Sequence, residues 1–142
     1  MGKIRMISEQ ITLAQQSFEK VLPAAETVAE LFYRRLFELD PSLRRLFTGD
    51  MQAQGRKLMD MIQTVIYGLD QFDKIIPTVQ DLGRHHGGLG VKDKDYDTVA
   101  AALLWTLEHE LGPDFTPVVK KAWIEVYGLL ANTMKAAASE LN

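Results

Sequence analysis

The chain contains no cysteine. Disulfides, thiolate metal sites, a catalytic thiol and thioether-linked haem or bilin are all excluded, so any cofactor must be held without covalent sulfur chemistry. Histidine is nearly as scarce, with three in 142 residues, two of them adjacent at His85 and His86. No apolar run approaches the roughly 20 residues of a membrane span, since the longest, Val99 to Leu107, is short and broken by Thr106. The opening "MGKIRMISEQ" lacks the apolar core of a signal peptide, and a cytoplasmic location is the expectation. Charge of one sign is also lacking. The net charge is −3 and basic pairs such as Arg34-Arg35 and Lys120-Lys121 are scattered among acids, which leaves no stripe for nucleic acid or membrane.

What is present is 46% hydrophobic and 25% charged sequence, enough for one core, so residues 1–142 read as a single domain with both ends frayed. The apolar spacing is helical nearly throughout, and the fold class is all-α, with about seven helices. A first helix is expected after Ser8 as N-cap, running to Pro23, and a second from Ala24 to Leu39. Asp40-Pro41 opens a short piece ending at Phe47. A long helix covers Met51 to Leu69, and another starts near Phe72 and stops at Gly87-Gly88. Asp93 to Asp95 can cap a sixth helix that Gly112-Pro113 ends, and Thr116-Pro117 opens the last.

The histidine pair divides on a helical wheel. Ile75, Val79, Leu82 and His86 form one stripe, so His86 faces inward; Thr78, Asp81 and His85 form another, so His85 faces water. By itself His86 reads either as a half-buried histidine closing a helix C-terminus or as a neutral imidazole aimed into an apolar pocket, as an axial haem ligand must be. A single imidazole does not make a tetrahedral zinc site.

Two segments carry a resemblance. "LFYRRLFELDPSLRRLF" resembles the second helix, proline turn and following phenylalanine of globins, with Tyr33, Pro41 and Phe47 at intervals of eight and six residues as in that family. "LGRHHGGLGV" resembles the proximal stretch of bacterial single-domain globins, flavohaemoglobins and neuroglobin-like proteins, and its register selects His86 as the iron ligand. Counting back by the family's interval puts Gln54 at the distal position and Leu58 a turn later, within "QGRKLMDMIQ".

The resemblance implies a globin fold, three helices over three around a pocket for noncovalent haem b. It implies His86 on the iron and Phe47, Leu58, Val91, Tyr96 and Val99 against the porphyrin. Lys57 could pair with a propionate or stay solvated. Tyr33 and Gln54 would offer donors to dioxygen, whose bound form carries partial negative charge, and nitric oxide is a second candidate ligand. Tyr33 could instead be a core tyrosine bonded to a backbone carbonyl, and Gln54 a surface glutamine. Tyr96 matches the tyrosine that polarises the proximal histidine in flavohaemoglobins, but the matching glutamate position falls on Ala138, with Glu140 roughly on the opposite face. Because the sequence ends at Asn142 with no flavin or nicotinamide module, nitric oxide dioxygenase turnover would need a separate reductase. The third reading is a haemless regulatory module acting through partner contacts, and nothing in the sequence sets an oligomeric state.

Overall fold

A computed structural model describes residues 2–139, with side chains from 8 to 139. Of the ends expected to fray, Met1 and residues 140–142, Glu140 among them, lie outside the described residues.

Six α-helices are found among the described residues: α1 (Gly2–Val21), α2 (Ala25–Leu39), α3 (Met51–Gly68), α4 (Phe72–Gly88), α5 (Asp93–Leu111) and α6 (Pro117–Ser139). The expected count of about seven is corrected, because Pro41–Leu46 is a 3-10 turn rather than an α-helix. Asp40 holds that turn by accepting from the Ser42 N–H at 3.1 Å and the Ser42 hydroxyl at 2.6 Å. Ser8 is also corrected. It lies inside α1, which already runs from Gly2, and its carbonyl accepts from the Thr12 hydroxyl, so it is not the residue that opens the helix.

The other starts follow from local chemistry. Asp50 caps α3 by accepting from the Gln52 N–H at 2.9 Å. The Thr116 hydroxyl accepts from the Val119 N–H at 3.3 Å, with Pro117 at the first helical position, where its missing N–H costs nothing. At α5 the carboxylate that acts is Asp95, in the first turn, which accepts from the Lys92 N–H at 2.8 Å.

The packing pairs are those of α1, α3 and α4 laid over α2, α5 and α6. Helix α4 packs on α6, α1 on α6 and α5, and α3 on α2. The main core joins Phe18, Met59, Leu107 and Trp123. Two further clusters flank it: Phe32, Tyr33, Leu36, Leu43 and Ala102 at the α2–α5 end, and Val79, Tyr96, Ala131 and Met134 at the α4–α6 end. Leu58 and Leu103 border the first of these, and Leu82 and Val91 the second.

One long-range polar bond locks the base. Trp123, 2% exposed, donates its indole N–H to Ser17 Oγ at 2.8 Å, and Ser17 is 5% exposed. Replacing Ser17 with Ala strands a buried donor, so chemical denaturation should show a loss of about 1–3 kcal/mol. A variant as stable as the parent would mean the indole finds water.

Candidate functional site

Tyr33, on the buried stripe of α2, is 7% exposed and sits in an aromatic group. Its ring meets Phe32 edge-on at 5.2 Å and Phe47 edge-on at 5.1 Å between centroids, and stacks on Phe37 at 6.0 Å. The Pro41 turn brings Phe47 back under α2. Helix α3 reaches the same place because Gly55 lets it approach α2, where an added Cβ would lie 3.0 Å from that of Ala29. Consequently the Gln54 carbonyl comes within 3.5 Å of the Tyr33 hydroxyl, which donates to it.

Burial pushes the Tyr33 phenol up to about 12, so it stays protonated and able to donate. The Gln54 side chain turns outward, its amide donating to the Thr48 carbonyl at 3.3 Å. Leu58 is half-buried against the Tyr33 group, Val99 borders it from α5, and Lys57 is exposed.

On the other side, α4 leaves His86 half-buried and His85 exposed. Burial lowers the His86 pKa below the usual imidazole value, with a smaller contribution from His85, so the ring is neutral at neutral pH. Among the described residues its ring nitrogens have no hydrogen-bond partner. The backbone after it is fully occupied: the His86 carbonyl accepts from Leu89 at 3.1 Å and Val91 at 3.0 Å. Gly90, at φ +89°, makes the reversal that brings Val91 back onto the cluster holding Tyr96.

Tyr96 is buried in the cluster with Val79, Ala131 and Met134. Its carbonyl accepts from the Tyr127 hydroxyl at 2.7 Å, and the Lys135 ammonium stands over its ring at 5.5 Å. Ala138 is half-buried and offers no carboxylate. Sequence reasoning did not single out Gly55 or Lys135. The signal for Gly55 was available, since a glycine inside a helix implies close approach of another backbone.

These residues fit a flat apolar cofactor held by one imidazole. Leu58, Ile62, Leu82, Val91, Val99 and Leu103 are all half-buried apolar side chains on α3, α4 and α5 and the turn between the last two, and α4 also carries the half-buried His86, whose pKa burial lowers. Among the described residues no three His, Cys, Asp or Glu gather to hold a bare ion. A separate groove of about 530 Å³ runs between α2 and α3, over Ala29, Gly55 and Met59, and shares only Tyr33 with the predicted site residues. No helix among the described residues is long and apolar enough to cross a membrane.

The chain is 30% identical over 132 residues to a flavohemoprotein of Bacillus subtilis, covering 91% of this chain and 31% of that protein. It is 30% identical over 118 residues to a neuroglobin of Danio rerio, covering 73% of this chain and 74% of that one. A flavohemoprotein of Halalkalibacterium halodurans is 31% identical over 110 residues, or 75% of this chain and 27% of that one. The chain thus spans less than a third of the length of the two flavohemoproteins. The globin family model matches residues 30–134, from the helix that carries Tyr33 through the one that packs behind His86. By that match, and by the relatives that share it, the chain belongs to the globin family.

Proposed function

We propose that the chain binds haem b noncovalently through His86 and reversibly takes up dioxygen, with nitric oxide as a second ligand. The observation that carries this is the half-buried His86 on the stripe of α4 that also holds Ile75, Val79 and Leu82, with burial favouring its neutral ring. With no cysteine in the chain, a haem without thioether links is the form that fits. When bound, the haem supplies a ferrous iron with one position open to a diatomic ligand.

The protein's part is to hold and shape that position. Phe47, Leu58, Val91, Tyr96 and Val99 would exclude water from the two faces, and Lys57, exposed on α3, could reach a propionate. Tyr33 would donate its phenolic proton as a hydrogen bond to the ligand. Its present bond to the Gln54 carbonyl, at 3.5 Å, is long for an O–H donor, so little is lost when the hydroxyl turns. Gln54 would add its amide after leaving Thr48.

In this reading the protein works in the bacterial cytoplasm as one domain. A nitric oxide dioxygenase served by a separate reductase is the rival. Ala138 where a polarising glutamate would stand, and a cation over Tyr96, favour binding over cycling because neither builds negative charge behind His86. Turnover distinguishes the two: the oxygenated protein should oxidise one equivalent of nitric oxide and stop. Sustained consumption with NADH and a flavin reductase, at rates far above the reductase alone, would establish the enzyme instead.

A further inference from the structure

The packing of α4 on α6 narrows at one point to backbone contact. A Cβ added at Gly83 would collide with the Met134 carbonyl oxygen and fall 2.6 Å from the Met134 Cα and 2.8 Å from its carbonyl carbon. Those are main-chain atoms inside a helix, which cannot rotate away as a side chain could. Any residue but glycine here must therefore push α4 off α6. Glycine in a helix interior costs stability relative to alanine, so its place at 83 calls for a packing reason, and this contact is one.

Gly83 also lies three residues before His86, about one turn away on the same side of α4. The helix is continuous between them, so a displacement at 83 is carried to the imidazole. Val79 and Ala131, buried in the same seam, leave no slack beside it.

We propose that Gly83 is a positioning residue for His86: by admitting Met134 to backbone contact, it sets how deeply α4 beds on α6 and hence where the imidazole stands in the pocket. The inference rests on the reading of His86 as the iron ligand. Ordinary Cβ contacts begin near 3.4 Å, so an alanine at 83 would drive the helices apart by roughly 1 Å.

The test uses the haem-loaded full chain. Gly83→Ala should shift and broaden the ferrous iron–histidine stretching band in resonance Raman spectra. It should also speed haem transfer to an acceptor protein by about 10- to 100-fold, the range for losing a group that orients a metal ligand. Gly128→Ala on α6, whose added Cβ meets nothing within 4 Å, should change neither. Ala131→Val widens the same seam more gently and should move both readouts in the same direction by less, which keeps a result in hand if Gly83→Ala does not fold. A detached ligand sharpens the assignment. In His86→Gly protein supplied with imidazole, adding Gly83→Ala or Ala131→Val should leave the iron–imidazole band where it was.

If Gly83→Ala and Ala131→Val lower the melting temperature while band and haem loss keep their parental values, Gly83 is packing only and the proposal fails alone. If the parental band survives His86→Gly without imidazole, the reading of His86 fails and takes the proposal with it.

Discussion

His86→Ala should abolish haem retention. Purified from cells supplied with haem, the variant should lack a Soret band, or lose it on passage over a desalting column, whereas His85→Ala should keep the parental spectrum and haem content. The asymmetry follows from position. His86 is half-buried, with burial favouring its neutral ring, while His85 is exposed, so its substitution leaves the buried face of α4 in place. Removal of an iron ligand outright should exceed the 10- to 100-fold loss typical of an outer residue, so affinity should fall by more than about 100-fold. Equal losses in the two variants would show that the helix turns its other face to the pocket.

Tyr33→Phe should release dioxygen faster by about ten- to a hundredfold, measured by flash photolysis or stopped-flow displacement with carbon monoxide. A hydrogen bond to an acceptor bearing charge contributes roughly 1.5–3 kcal/mol, and that range converts to this change in rate when association is unaffected. The difference should hold from neutral pH upward and vanish as the phenol ionises near 12, since the raised pKa keeps the donor form at every pH below it. Gln54→Leu should have the smaller effect, because its amide already spends a bond on Thr48 at the solvent edge. A larger effect at Gln54 than at Tyr33 would mean that the amide, and not the phenol, faces the ligand.

Much of this arrangement was legible because helical phase is a local property. The stripe from Ile75 to His86 needs only 3.6 residues per turn to separate His86 from His85, and the structure has the first half-buried and the second exposed. The cap at Thr116 was equally local, since its hydroxyl satisfies the N–H three residues on. Features set across the fold were harder to read. That Tyr33 leans on the Gln54 carbonyl depends on how closely α3 crosses α2, which Gly55 and Ala29 decide together though they are far apart in sequence. Gln54 itself was placed by register, but register says nothing of its rotamer, and its amide finds a carbonyl in the loop before α3. The seam at Gly83 and Met134 has the same character. A lone glycine marks it, but only the partner helix shows what the glycine admits.

In the proposed function one imidazole, His86, holds the iron and leaves its opposite side open. Absorption and resonance Raman spectra of the ferrous protein under nitrogen test it most directly. The expected result is a five-coordinate high-spin spectrum with an iron–histidine band, converting on addition of oxygen to a stable oxygenated form. A six-coordinate low-spin ferrous spectrum, or no Soret band after reconstitution with haem, would contradict it.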